Sequence, residues 1–209
     1  MSYAGNSVMQ HPRSFQGPGR VALGIPNFLG TLPPANVQSF GGPKDTLEKM
    51  ADAALGPRGE RSIIVRRFTE WVLQGVQPKD YLGEILAIRN ALVQPSPFRP
   101  GMALFHYIND PRHVELVKDP ERQVTEILET GSTMVDCDDV STMAATMALI
   151  IGRNVDLVAM GFEPGSLSHV AIRVQEPKTQ QWIILDGVAG PREKEAAGKA
   201  KELMVRSLD

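Results

Sequence analysis

Three residue types that can perform acyl-transfer chemistry follow one another along the second half of the chain. Cys137 is the only cysteine, and it directly precedes a strongly helical stretch. His169 opens an apolar, strand-like segment, and Asp186 ends the next such segment. A thiol attacks a carbonyl carbon well when an imidazole accepts its proton and a carboxylate orients that imidazole. The order Cys, His, Asp therefore predicts a thiol triad.

The position of Cys137 at a helix start favours its ionisation, because the N–H groups of a first helical turn stabilise an anion. Asp136, Asp138 and Asp139 oppose this as like charges, although aspartates also cap helices and suit their first turn. We expect one of them to cap the helix and at least one to point away from the sulfur. The backbone N–H of Cys137 would be one oxyanion donor. The sequence identifies no second donor.

The segments 169–175 and 181–186 predict an antiparallel hairpin, because a turn-rich linker containing Pro177 joins them. If a four-residue loop begins at residue 176, His169 faces Asp186 directly; if it begins one residue later, the two are diagonal neighbours. Both registers place the imidazole and the carboxylate on the same face of the sheet. A loop of odd length would separate them. We expect His169 to accept the thiol proton and Asp186 to fix its tautomer.

Each of these residues also has a simpler interpretation. A single cysteine is often a small buried hydrophobic residue, and a histidine at a strand start is often an edge residue. Asp186 before Gly187 suits a strand-ending turn. The aspartates flanking Cys137, together with His169, could in principle bind a hard cation, but their spacing is not a regular ligand pattern. We therefore predict no metal and no cofactor. His106 and His113 are spare candidates, and His11 lies in the N-terminal segment before the predicted helices.

Composition limits the class of protein. A chain of 209 residues, 42% hydrophobic and 22% charged, is long enough and apolar enough to bury one full core. A net charge of -2, with scattered basic residues, argues against nucleic-acid binding. No apolar run approaches the roughly 20 residues that span a bilayer, and the N-terminus lacks the pattern of a signal peptide. We expect a protein without a membrane partner that is made inside the cell.

The chain divides into four predicted regions. Residues 1–42 hold seven Gly and five Pro without sustained periodicity, and apolar residues recur among them, so we predict an extended arm that packs on its own domain or on a neighbouring subunit. Three amphipathic helices are predicted in residues 43–97. Residues 98–192 are predicted to form the core, and 193–209 a C-terminal helix or tail.

The predicted core explains how the three candidate residues would be positioned. A short helix opens at Pro120, and a helix that is apolar on most sides, and therefore buried, runs from about residue 138 to 151. Three predicted strands follow: 155–160, 169–175 and 181–186. The fold class is therefore α+β, with the helices first and an antiparallel sheet second.

These residues resemble the transglutaminase-like superfamily, whose members have a papain-like fold. The shared pattern is a Cys that opens the core helix, Ile151-Gly152 at the helix end, a strand that begins at the His, and Trp-x-x-Leu-Asp ending at Asp186. The resemblance covers roughly residues 101–190. It implies a papain-like domain in which Cys137 is the nucleophile, His169 the base and Asp186 the orienting carboxylate.

Within that superfamily, the sequences around Cys137 and His169 and the segment Asn109–Val117 look most like small members found among tailed-phage and prophage structural genes. The resemblance implies a virion or assembly component that binds other virion proteins through its arm. Its location would be the host cytoplasm during assembly and then the virion. A protein or peptide amide would be its substrate.

The chain also departs from the family pattern. The glycine that usually lies shortly before the Cys is displaced to Gly131, and no Trp stands just upstream as an oxyanion donor. Amide crosslinking in the strict sense is therefore not implied, whereas amide hydrolysis is compatible. Two alternatives stay open: a catalytically silent structural protein of a phage particle, and a peptidoglycan-cleaving cysteine peptidase. The short interval between Cys137 and His169 argues against the peptidase.

Overall fold

The computed structural model describes residues 36–39, 41–109, 115–188 and 198–208. Most of the predicted arm, as well as His11 and His113, lies outside them. The helices of the described residues are α1 (Pro43–Leu55), α2 (Ile63–Val72), α3 (Tyr81–Val93), α4 (Pro120–Thr130) and α5 (Cys137–Ile150). The strands are β1 (Asn36–Ser39), β2 (Phe105–Tyr107), β3 (Glu115–Lys118), β4 (Thr133–Val135), β5 (Val155–Gly161), β6 (His169–Gln175), β7 (Trp182–Leu185) and β8 (Glu202–Ser207).

The strands form one larger sheet and two small ones. Strands β7, β6, β5 and β8 lie side by side in this order, and each is antiparallel to its neighbour. Strands β1 and β3 form an antiparallel pair, whereas β2 and β4 run parallel. Together with the helices, the larger antiparallel sheet confirms the predicted α+β class.

Helix α5 lies at the centre of the core, as its sequence predicts. Small and apolar residues surround it on nearly all sides, so almost the whole helix is buried. Val140, Met143 and Met147 pack in one core with Leu157 of β5 and Ile172 of β6. The helices α1, α2 and α3 cover the rest of that core. The helix carrying Cys137 is therefore fixed along its length by packing.

The C-terminal prediction was wrong, because residues 202–207 form a strand rather than a helix or a tail. Strand β5 is buried along its whole length, so both of its edges need hydrogen-bonding partners. Strand β8 supplies one of them, from Asp156 opposite Ser207 to Gly161 opposite Glu202. A six-residue segment whose apolar residues alternate only weakly gives too little periodicity to distinguish a strand from a helix.

The order of helices first and sheet second was also incomplete, because four short strands lie before or between the helices. Strand β1 comes from the end of the predicted arm and pairs with β3 of the same chain. The pair β2–β4 leads directly into α5: Tyr107 lies opposite Val135, and the N–H of Ile108 donates to the Val135 carbonyl at 2.8 Å. These strands place the start of α5.

Candidate functional site

Asp136 caps helix α5, so that Cys137 is its first residue. The Asp136 carboxylate accepts a hydrogen bond from the N–H of Asp139 at 3.4 Å. Asp139 in turn accepts from the N–H of Lys118 at 2.6 Å, and its side chain therefore points toward β3. Asp136 therefore caps the helix as we expected, and Asp139 is bonded to a neighbouring strand. Cys137 itself is half-buried.

His169 and Asp186 are hydrogen-bonded to each other. The imidazole Nε2 lies 2.7 Å from Asp186 Oδ2, and the exposed fractions of the two side chains are 13% and 1%. Asp186 Oδ1 accepts from the N–H of Val188 at 2.9 Å, which fixes the carboxylate. Strands β6 and β7 pair Ile172 with Leu185, so the loop is residues 177–180. The two residues are diagonal neighbours, the second of the two registers that the sequence allows.

The bond to Asp186 determines which imidazole nitrogen can serve a thiol. A carboxylate accepts hydrogen bonds, so Nε2 carries the proton and Nδ1 holds the lone pair. Among the described residues, Nδ1 has no hydrogen-bonding partner. The nitrogen that can accept a thiol proton is therefore Nδ1.

The first turn of α5 touches both strands beside this pair. Ser141, one turn after Cys137, donates its hydroxyl to the Val170 carbonyl at 3.0 Å. That carbonyl is available because β7 pairs with β6 only as far as Leu185. Just beyond the end of β7, a Cβ on Gly187 would lie 2.6 Å from a methyl carbon of Val140. The residues that follow His169 and Asp186 thus contact the helix directly.

The imidazole does not leave the sheet on the face that packs against α5. Val170 and Ile172 share the core with α5, whereas His169 lies opposite Met160 on the other face, near the ring of Phe162. His169 is the first residue of β6, and Asp186 follows the last residue of β7. The pair therefore lies at the end of the sheet, next to Val170 and Gly187, which contact Ser141 and Val140 of α5.

Tyr107 is a further residue at this site, and sequence reasoning missed it. Burial first, and then negative charge on Cys137, Asp136, Asp138 and Asp186, together raise the pKa of the Tyr107 hydroxyl to about 12. The phenol is thus close enough to sense the cysteine and the orienting carboxylate together. Its hydroxyl donates to Asn109 Oδ1 at 3.0 Å. The alternation Phe105, Tyr107 was visible in the sequence, but the partner strand β4 was not.

Two other candidates do not join the site. His106 lies on the exposed face of β2, and Tyr107, the next residue, lies on the opposite face. Asp136, Asp138 and Asp139 bring one carboxylate oxygen each within 4.8 Å of one another. The capping bond of Asp136 and the strand bond of Asp139 give these two side chains a structural role, and we assign no ion to them.

Comparisons of the chain with protein-family models, curated proteins and solved structures find no match. Within the described ranges, no helix is both long and apolar enough to cross a membrane.

Proposed function

We propose that the chain is a cysteine-dependent acyl-transfer protein of the transglutaminase-like type, with a papain-like fold, and that Cys137, His169 and Asp186 act on an amide. The observation that carries the proposal is the 2.7 Å bond between His169 Nε2 and a buried Asp186, which leaves Nδ1 for a thiol. A buried carboxylate needs a partner to be tolerated. Here that partner is an imidazole beside the start of the helix that bears the cysteine.

The reaction follows from these assignments. His169 Nδ1 takes the proton of Cys137, and the thiolate attacks the carbonyl carbon of the amide. The resulting oxyanion is stabilised at the helix start, because the N–H groups and the dipole of a first helical turn favour negative charge. The C–N bond then breaks, and the protonated His169 gives its proton to the leaving amine. Asp186 keeps the imidazole oriented and stabilises its charged form throughout.

Water or an amine completes the cycle by attacking the thioester and releasing Cys137. Water gives hydrolysis, and an amine gives acyl transfer. The setting in a tailed phage, the virion partners and the host-cytoplasm location rest on the resemblance alone. A silent structural protein, as the main alternative, would keep the fold without a reactive thiol.

The test is the rate of Cys137 alkylation by iodoacetamide across pH, for the wild type, His169→Ala and the control His106→Ala. We expect the wild-type rate to follow a thiolate that forms well below the reference pKa of about 8.5. His169→Ala should return the profile to that value, while the change at the exposed His106 leaves it unaltered. A wild-type profile near 8.5 that ignores His169→Ala would show that the site is silent.

A further inference from the structure

We infer that the Tyr107 hydroxyl is the second donor of the oxyanion hole, facing the N–H of Cys137 across the carbonyl oxygen of the substrate. This inference rests on the proposed function and names the donor that the sequence could not identify. It is carried by the placement of β2 beside the strand that leads into α5.

The register of the parallel pair β2–β4 sets the position of this side chain. Phe105, Tyr107, Thr133 and Val135 share one face of the pair, since Phe105 lies opposite Thr133 and Tyr107 opposite Val135. That face is the inner one: Phe105, Thr133 and Val135 are all buried, and the ring of Phe105 packs edge-on against Phe68. Tyr107 continues this face at the open end of the strand.

Cys137 comes two residues after Val135, so the tyrosine lies directly beside the chain as it enters the helix. Tyr107 keeps 42% of its surface exposed, although its neighbours on the inner face are buried. A partly exposed phenol that continues a buried strand face can meet a bound substrate. The backbone of β2 is held at this point by the bond from Ile108 to Val135.

The hydroxyl is also in the correct state to donate. With a pKa of about 12 it stays protonated at every pH at which a cysteine can act. In the structure it donates to Asn109 Oδ1, on an exposed side chain of the same segment. An exposed neutral hydrogen bond contributes little free energy, so the hydroxyl can exchange this acceptor for a stronger one. An oxyanion is such an acceptor.

Two electrophiles separate the oxyanion role from any effect on the thiolate. Iodoacetamide alkylates the thiolate by displacing iodide at a saturated carbon, and no oxyanion forms. 4-Nitrophenyl acetate acylates the same thiolate through a tetrahedral oxyanion and releases 4-nitrophenolate. Both rates are measured for the full chain, for Tyr107→Phe and for the matched control Tyr81→Phe. Tyr81 lies on α3, where its ring contacts Arg153.

We expect Tyr107→Phe to slow acylation by about 10²-fold, the usual effect of removing one oxyanion donor, with the alkylation rate and its pH profile unchanged. Tyr81→Phe should change neither rate. An unchanged alkylation rate also shows that the variant is folded around Cys137. Equal losses in both reactions would place Tyr107 on the thiolate instead and overturn the inference, as would wild-type acylation in Tyr107→Phe. If wild-type Cys137 resists both reagents, the proposed function fails and the inference fails with it.

Discussion

Two polar clusters lie near the start of α5, and they differ in what their hydrogen bonds hold in place. The first, called here the anchoring cluster, consists of Lys118, Gln123, Glu126 and Asp139. Asp139 accepts from the Lys118 N–H, and its carbonyl accepts from the Gln123 amide at 2.9 Å. The same amide nitrogen reaches the Lys118 carbonyl at 3.1 Å. The cluster ties α4, β3 and the helix start together.

The Glu126 carboxylate accepts hydrogen bonds from three side chains. Its carboxylate accepts from Thr133 and from Arg122, each at 2.6 Å, and from the Lys118 ammonium at 3.2 Å. The second cluster, His169 with Asp186, satisfies its carboxylate equally well but leaves one imidazole nitrogen for an incoming proton. Hydrogen-bonded carboxylates thus fix the backbone in the anchoring cluster, whereas in the His169–Asp186 pair the carboxylate orients an imidazole that can accept a proton.

The largest effect that separates the clusters is expected from Asp186→Asn. The side-chain oxygen of the asparagine still accepts the hydrogen bond from the Val188 N–H. Its NH₂ group, however, cannot hold the proton on Nε2 of His169 or stabilise the imidazolium. We expect acylation of Cys137 by 4-nitrophenyl acetate to fall by about 10²- to 10⁴-fold. Stopped-flow or plate-reader release of 4-nitrophenolate measures it.

The matched control is Asp156→Asn on the same sheet. Asp156 is also a buried carboxylate, and it accepts from Arg173 Nε at 2.7 Å. Its loss should lower stability without changing the acylation rate. If the two variants slowed acylation equally, the role of Asp186 would be structural, and the contrast between the clusters would disappear.

A smaller and different effect is expected from Glu126→Gln in the anchoring cluster. Burial raises the pKa of Glu126, but the hydrogen bonds from Thr133 and Arg122 and the charge of Lys118 outweigh it, so the pKa lies below its ordinary value. The charged form therefore stabilises the fold. We expect Glu126→Gln to lower the free energy of unfolding by about 1–2 kcal/mol at pH 7, measured by urea denaturation.

The pH dependence of that difference follows from the direction of the shift. A carboxylate with a lowered folded pKa contributes fully above its unfolded value of 4.5 and loses its contribution as the pH falls through the folded value. Wild type and Glu126→Gln should therefore converge in stability below pH 4.5. The alkylation rate of Cys137 at pH 7 should stay the same. A gap that persists in acid would assign the loss to packing rather than to charge.

The sequence predicts the His169–Asp186 pair better than its surroundings. A loop containing Pro177 between two alternating segments determines the parity of the hairpin, and the aspartates before an apolar helix indicate its cap. These signals are local. Tyr107 and β4 depend instead on a parallel pairing between two three-residue strands, which leaves no periodicity to detect. The face that His169 occupies at the sheet end is likewise a tertiary outcome, set by where β7 stops pairing.

The smallest expected effect comes from Ser141→Ala, which loosens the contact between α5 and β6 next to His169. The buried Ser141 hydroxyl donates to the Val170 carbonyl, next to His169, and its loss should cost about 1 kcal/mol of stability. Thr146→Val serves as the control, because the Thr146 hydroxyl is also buried but, within the part of the chain that the structure describes, bonds to the Thr142 carbonyl of its own helix. We expect both variants to lose a similar amount of stability, measured by urea denaturation. Only Ser141→Ala should also slow the acylation of Cys137, by less than about 10-fold.

The reason for this small effect is geometric. A weakened hydrogen bond shifts the helix start relative to the imidazole only slightly, and a misplacement of about 1 Å already costs up to 10²-fold in rate. Equal acylation rates in the two variants would mean that packing of Val140 on Gly187 suffices to position Cys137 against the pair.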